Sequence, residues 1–178
     1  MKLTRFIGSI LFLTCGIFLA GCNGGGSDGT DATTIQIDDS VIATGQSTVV
    51  TTGFSFDSDA VFDENHNVVL VIHIPRGLSF HGDAGEINLP TGSDRRVGAE
   101  ITACSGGDYY VVFDLDRSDL LTATNPTGDA DAEIKFQLDA HTATTTILEA
   151  RADEDHGQYA CGQEFSAQAV ASIEVTAP

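Results

Sequence analysis

The chain contains no tryptophan and few basic residues, and both shortages restrict what it can bind. Only eight lysines and arginines stand against 26 aspartates and glutamates, so the formal net charge is −18 at pH 7. Nucleic acid and anionic lipid head groups repel such a chain. The missing indole removes the commonest stacking platform for sugars. Solubility in salty surroundings and divalent-cation binding are the two explanations of this acidity.

Sequence motifs of common enzymes are missing as well. The chain has neither the H-E-x-x-H spacing of zinc peptidases nor the G-x-S-x-G elbow of serine hydrolases. Its five histidines form no pair at ligand spacing on one predicted element. We therefore expect a protein that is not an enzyme. A small envelope enzyme with an unrecognised site is the alternative.

The first 22 residues have the organisation of an export signal. Lys2 and Arg5 give a positive start, and residues 6–18 form an apolar stretch that is too short to span a membrane. The following Leu19-Ala20-Gly21-Cys22 resembles the lipobox of bacterial lipoproteins, which implies cleavage after residue 21 and lipidation of Cys22. An ordinary signal peptide cut at another position, or a single N-terminal membrane anchor, is the alternative.

Cleavage at this site would leave 157 residues with a formal charge of −20, a length that fits one domain. Residues 22–32 are rich in glycine and predict a flexible tether, followed by a domain over residues 33–178. Asn23 follows the lipidated cysteine, and the sorting rule that the lipoprotein resemblance implies then favours the outer membrane of a Gram-negative bacterium. The expected partners are the membrane, through the lipid, and an unknown protein or cell-surface partner.

Four cysteines are present, and two of them remain for a disulfide. Cys15 lies in the predicted signal peptide and Cys22 is assigned to lipid, so Cys104 and Cys161 are left. An exported domain meets oxidising conditions, and two cysteines allow one connectivity. A thiol or metal pair is the rival interpretation, but the chain has no C-x-x-C spacing. We expect a disulfide between Cys104 and Cys161.

From Thr33 onward, apolar and polar residues alternate with the period of half-buried β-strands. Residues 109–115 and 134–138 each predict one buried face and one mostly wet face. The stretch 68–74 is apolar on both faces except for His73, which predicts a central strand with the histidine on its outer side. Residues 97–103 predict a shorter strand, and a last strand is predicted to carry Phe165 and later apolar residues on one face. About eight or nine strands predict an all-β fold, an antiparallel two-sheet sandwich.

The segment Ile74-Pro75-Arg76-Gly77-Leu78-Ser79-Phe80 follows this central strand. It resembles the Pro-x-Gly-Leu-x-aromatic segment of Ig-like conserved-repeat domains on bacterial surface proteins. The resemblance implies an immunoglobulin-like sandwich that serves as a stalk, spacer or adhesive module, and it implies no catalytic residue. Those modules usually occur in arrays and lack the added cysteine pair.

No cofactor is expected, and acidic clusters leave Ca²⁺ as the alternative. Two groups of oxygen-bearing side chains lie between predicted strands, and Ca²⁺ takes 6–8 such oxygens. The candidate ligands are Asp57, Asp59, Asp63, Asn65, Asp129 and Asp131. Neither group has the EF-hand spacing, and solvated loops are the alternative interpretation. A calcium-dependent binding module would differ from a metal-free one by a melting temperature that responds to EDTA.

Taken together, the sequence predicts an exported lipoprotein with a non-catalytic binding, adhesive or structural module. Its contact surface is expected at an exposed sheet edge or in the loops 79–85 and 153–159, where His81, His156 and Tyr159 stand out among small and acidic neighbours.

Overall fold

The computed structural model describes residues 33–57, 68–88, 95–115, 129–153, 161–162 and 164–178. Within these ranges the chain forms twelve β-strands and no helix, which confirms the predicted all-β class. The strands are β1 (Thr33–Ile37), β2 (Val41–Ala43), β3 (Ser47–Asp57), β4 (Val68–Ile74), β5 (Leu78–Phe80), β6 (Ala84–Asn88), β7 (Arg95–Gly98), β8 (Glu100–Ala103), β9 (Tyr109–Leu115), β10 (Asp129–Ala140), β11 (Thr144–Asp153) and β12 (Ala169–Thr176).

Two six-stranded sheets pack against each other as a sandwich. The first sheet has the order β1-β3-β10-β6-β7, and β5 also pairs with β10. The second sheet has the order β2-β12-β11-β4-β9-β8. Every pairing is antiparallel except that of β2 with β12. The predicted two-sheet architecture is confirmed, with more strands than the eight or nine expected.

Alternation along the strands decides which side chains enter the core. Ile134, Phe136 and Leu138 of β10 are buried. Glu133 and Lys135, which alternate with them along the strand, are exposed. The inward residues of β9 and β11 follow the same rule and include Val111, Phe113, Leu115, Leu148 and Ala150. Full burial of a large apolar side chain contributes about 1.5–3 kcal/mol, so these faces hold the two sheets together.

Strand β4 occupies an interior position of the second sheet, between β11 and β9. Its residues 68, 70, 72 and 74 enter the main core, while Val69 and Val71 join Tyr110 in a second apolar cluster on the outer face of the sheet. His73 lies on that outer face. The prediction of a central strand with an outward histidine is therefore confirmed.

The segment after β4 carries the chain from one sheet to the other. Strand β4 ends at Ile74 in the second sheet, and β5 begins at Leu78 in the first. Gly77 between them has a φ of 99°, a left-handed conformation that side chains disfavour. A Cβ at Gly77 would also lie 3.2 Å from Cγ2 of Thr144. Glycine is therefore required for this crossing on both grounds.

Two strand predictions differ from the structure. Residues 97–103 were expected to form one strand, but the chain changes sheets at Ala99, so β7 and β8 belong to different sheets. Phe165 was expected in the last strand, yet β12 begins at Ala169. The aromatic ring of Phe165 packs on the outer face of the second sheet. The alternation of apolar and polar residues could not show these differences, because it is the same in a paired strand and in an extended segment that is not paired.

Candidate functional site

The structure joins Cys104 and Cys161 by a disulfide, as the sequence predicts, with their Cα atoms 5.4 Å apart. Cys104 follows β8, and Cys161 begins the segment that leads into β12. We call the described part of that segment, residues 161–162 and 164–168, the strap. The disulfide thus fixes the start of the strap to the β8–β9 turn.

The strap crosses the outer face of the second sheet. Its Phe165 ring lies 5.7 Å from the ring of Tyr110 and 6.2 Å from that of His73. Tyr110 forms the second apolar cluster with Val69 and Val71, and Phe165 packs against that cluster. The prediction that this face of β9 is exposed to water is wrong at Tyr110, which is buried at 5% exposure. A covering segment removed this part of the face from water.

Gln168 fastens the other end of the strap. Its backbone N–H donates to the carbonyl of Ala150, and its side-chain Oε1 accepts from the N–H of Ala152 at 2.9 Å. The hydroxyl of Thr33 also donates to Oε1 of Gln168 at 2.6 Å. These bonds connect the strap to β11 and to the first residue of β1.

His73 is held between two carboxylates beneath the strap. Its Nδ1 lies 2.8 Å from Oε2 of Glu149, and its Nε2 lies 3.0 Å from Oδ2 of Asp108. The hydrogen bond from His73, together with a backbone hydrogen bond in the turn, lowers the pKa of Asp108. Burial raises the pKa of Tyr110, and the charges of Asp108 and Glu149 raise it further. The imidazole ring lies 5.0 Å from the Tyr110 ring.

A second polar cluster lies on the first sheet, at the end where β10 finishes. Asp139 accepts a hydrogen bond from Oγ of Ser47 at 2.6 Å and contacts Nδ1 of His81 at 2.8 Å. These bonds lower the pKa of Asp139, that of Ser47 having the larger effect. Oγ of Ser79 lies 2.5 Å from Nε2 of His141. A serine nucleophile needs a base that a third group orients, and the carboxylate here is bonded to His81 instead.

Tyr109 supports this cluster from inside the sandwich. Its hydroxyl oxygen accepts a hydrogen bond from the backbone N–H of Phe80. Burial raises the pKa of Tyr109 to about 12. The phenol is therefore neutral under ordinary conditions and acts as a fixed support for β5.

The outer face of the first sheet carries an open groove of about 320 Å³. Its lining residues are Gln36, Asp38, Val49, Thr51, Glu133 and Lys135. The three charged side chains among them are all exposed. Active sites typically hold a buried titratable group beside a charge partner, and this groove has none among its lining residues.

The predicted calcium ligands divide between described and undescribed residues. Strand register places Asp129 directly opposite Asp57, and Asp131 opposite Ser55, whose hydroxyl donates to the Asp131 carboxylate at 2.6 Å. Asp59, Asp63 and Asn65 lie outside the described residues. In the described ranges, no group of three or more His, Cys, Asp or Glu side chains is arranged to hold a metal ion. The calcium set stays a prediction.

The two predicted contact loops also differ in their outcome. Residues 79–80 belong to β5 and residues 84–85 to β6, so only the turn from His81 to Asp83 is a loop. His156 and Tyr159 lie outside the described residues. The His73 arrangement was missed because Asp108 and Glu149 are 35 and 76 residues away in sequence. The available signal was a single histidine in an otherwise apolar strand.

None of the described segments contains a helix with the length and apolar character needed to span a bilayer. No protein-family model matches the chain, and no curated protein matches it.

Solved structures share the fold at low sequence identity. The fimbrial protein FimP from Actinomyces oris superposes with a TM-score of 0.52 at 9% identity, over 82% of this chain and 37% of FimP. A 35 kDa C-terminal fragment of the major pilin GBS80 of Streptococcus agalactiae has a TM-score of 0.48 at 12% identity, over 83% of this chain and 56% of the fragment. AvmM, which catalyses macrocyclization in alchivemycin A biosynthesis, has a TM-score of 0.44 at 11% identity, over 83% of this chain and 89% of AvmM.

This chain therefore spans only part of the two pilin structures. At such identities the similarity shows the fold alone, an Ig-type two-sheet sandwich like that of FimP. One fold can host many activities, so function has to be argued from the surfaces of this chain.

Proposed function

We propose that this protein is a lipid-anchored, non-catalytic module of the bacterial envelope that makes adhesive or structural contacts with another protein or a cell surface. One observation carries the proposal: His73 and His81 are bonded to carboxylates of neighbouring strands and turns, and neither of them lines the open groove of the first sheet. His73 bonds Asp108 and Glu149, and His81 bonds Asp139. Such groups stabilise a scaffold, whereas an active site would direct them toward a substrate.

The strand register supports an orientation for such a module. Strand β1 begins at Thr33, which pairs with Phe54 of β3. Phe54 lies near the end of β3 at which Asp57 pairs with Asp129. Ser47 and Asp139 pair at the opposite end. A tether over residues 22–32 reaches about 40 Å at most when fully extended. Lipid at Cys22 would then hold Thr33 within this distance of the membrane, and the Ser47 end is the end of β3 farther from that attachment.

The two outer faces offer different surfaces to a partner. The strap covers the apolar cluster of the second sheet. The first sheet presents the open groove, in which Val49 is 37% exposed. By register, Lys135 lies opposite Glu86, and Glu86 lies opposite Arg96, so charges alternate across this face. A flat face with mixed charges and one exposed apolar side chain suits contact with another protein.

Anchoring is tested by Cys22→Ser. We expect the wild-type protein to partition into detergent and to carry the mass of a diacylglycerol group, because two or more acyl chains anchor a protein stably. The serine variant should lose that mass and move to the aqueous phase. Cys15→Ser is the matched control and should keep the lipid, since residue 15 lies in the predicted signal peptide. A serine variant at position 22 that keeps the acyl mass would contradict anchoring at this residue.

Contact is tested by photo-crosslinking in intact cells. A photoreactive residue in place of Val49 is expected to give a discrete adduct, and Lys135→Glu in the same groove should weaken that adduct by reversing a lining charge. Ile147, which is 51% exposed on the second sheet, provides the control position. Adducts at position 147 and none at position 49 would assign contact to the other sheet. Absence of adducts from both positions would count against a contact module.

A further inference from the structure

His73 lies where three parts of the second sheet meet the strap. The residue belongs to β4, Glu149 belongs to β11, and Asp108 belongs to the β8–β9 turn that also carries Cys104. Phe165 of the strap contacts the same imidazole ring. One side chain therefore connects β11, the turn and the strap.

The two hydrogen bonds of the imidazole require a proton on each ring nitrogen while both carboxylates are ionised. A neutral imidazole has one N–H, so it can donate to only one of two ionised carboxylates. Its other nitrogen would then present a lone pair to a negatively charged oxygen 2.8 or 3.0 Å away. Both bonds form together only when the ring is an imidazolium. The side chain of His73 is 19% exposed, so water can replace a lost bond only in part.

We propose that Asp108, His73 and Glu149 form a proton-dependent latch that holds the strap and the β8–β9 turn on the second sheet and loosens when the imidazole loses its proton. Opening of the latch would leave the strap tethered at Cys161 and at Gln168, because the disulfide and the backbone bonds remain. The contact of Phe165 with His73 and Tyr110 is the part that weakens. The latch adds regulation to the module and does not depend on its lipid anchor.

Other charged groups around His73 do not substitute for its proton. Arg151, the next outward residue of β11, bonds Asp153 at 2.6 Å, and its guanidinium also reaches the carbonyl of Ser166 at 3.5 Å. Tyr110 of β9 is a further titratable neighbour among the described residues, and its raised pKa keeps it neutral. Arg76 lies beside Gly107 in the turn that carries Asp108.

The bonds of the latch weaken at low pH and again when the imidazole loses its proton. The pKa of Asp108 is lowered in the folded protein by its bond to His73, so its contribution is complete above the unfolded value and is lost as the pH falls through the folded value. Loss of the ring proton acts from the other side, because a neutral imidazole can donate to only one of the two carboxylates. Between these limits both bonds stabilise the strap.

The test compares melting temperatures of the full chain at about pH 5 and about pH 8. We expect His73→Gln to lower the melting temperature by about 3 °C at the lower pH and by less than about 1 °C at the higher pH. His81→Gln is the matched control, because His81 bonds one carboxylate among the described residues and is 59% exposed. The control should shift the melting temperature by less than about 1 °C at both pH values, as exposed ion pairs contribute little.

Hydrogen exchange of the strap gives a local readout. After correction for intrinsic rates, protection of the strap amides in the wild-type protein should fall severalfold between the lower and the higher pH, and His73→Gln should remove that dependence. If His73→Gln does not fold, Glu149→Gln keeps the imidazole and replaces the carboxylate by a neutral amide, which can donate to a neutral ring as well as accept from a protonated one, so it should show the same loss of pH dependence. Equal effects of either substitution at both pH values would overturn the latch.

Discussion

Removing the Cys104–Cys161 disulfide by Cys104→Ser with Cys161→Ser is expected to lower the free energy of unfolding by about 2–4 kcal/mol. The two residues are 57 positions apart, and closing a loop of that length contributes roughly 4 kcal/mol in the chain-entropy model. Residual structure in the unfolded chain reduces that figure. Urea unfolding followed by circular dichroism measures the difference.

The effect should be concentrated at the strap, because Cys161 is its first residue and Cys104 lies in the second apolar cluster with Val69 and Tyr110. Losing the bridge frees Phe165 to leave that cluster. We expect faster hydrogen exchange in the strap before global unfolding begins. Tyrosine fluorescence can follow the same step, since the chain has no tryptophan.

A reductant provides the control for this experiment. It should destabilise the wild-type protein by a similar amount and leave the double-serine variant unchanged. Labelling of both cysteines by iodoacetamide in unreduced, denatured protein from the cell envelope would show that the bridge is absent. Equal urea midpoints for the wild-type protein and the double-serine variant would show that it does not stabilise the fold.

Replacing Phe113 with alanine should have a larger effect, a loss of about 3–5 kcal/mol in the free energy of unfolding. Phe113 is fully buried, and its ring lies 6.1 Å from the ring of Phe80 and 6.2 Å from that of Phe136. It therefore joins the β9 strand of one sheet to strands β5 and β10 of the other. Truncation removes the apolar contact and leaves a cavity that the two sheets can close only in part.

Gly85 makes this prediction more specific. A Cβ at Gly85 would lie 2.9 Å from Cε1 of Phe113 and 2.7 Å from Cγ2 of Ile134, so Gly85→Ala should cost about 1–3 kcal/mol through overpacking. In the Phe113→Ala background the cost should be smaller, because the ring that the methyl group would meet is gone. Gly98→Ala is the control, since nothing lies within 4 Å of a Cβ there.

A double-mutant cycle over urea midpoints measures this coupling. Strictly additive costs for Gly85→Ala and Phe113→Ala would mean that the Phe113 ring does not restrict position 85. A Gly98→Ala cost as large as that of Gly85→Ala would assign the effect to backbone conformation.

Sequence patterns were sufficient to assign the inward and outward faces of several individual strands. Period-two alternation identified the inward residues of β9, β10 and β11, and the doubly apolar β4 marked an interior strand with His73 on its outer side. The disulfide also followed, because only two cysteines lie outside the predicted signal peptide and lipobox. The faces of a strand depend on local sequence, and two cysteines allow only one pairing.

The tertiary structure decided how the strands combine. The division of residues 97–103 between two sheets, the burial of Tyr110 and the position of Phe165 all depend on which segments lie side by side. Asp108 and Glu149 meet His73 for the same reason. Alternation specifies the face that a side chain occupies, but the pairing of distant strands is chosen by the burial that the whole chain achieves. The core faces and the cysteine pair could therefore be predicted from the sequence, whereas the strap and the two carboxylate contacts of His73 required the fold.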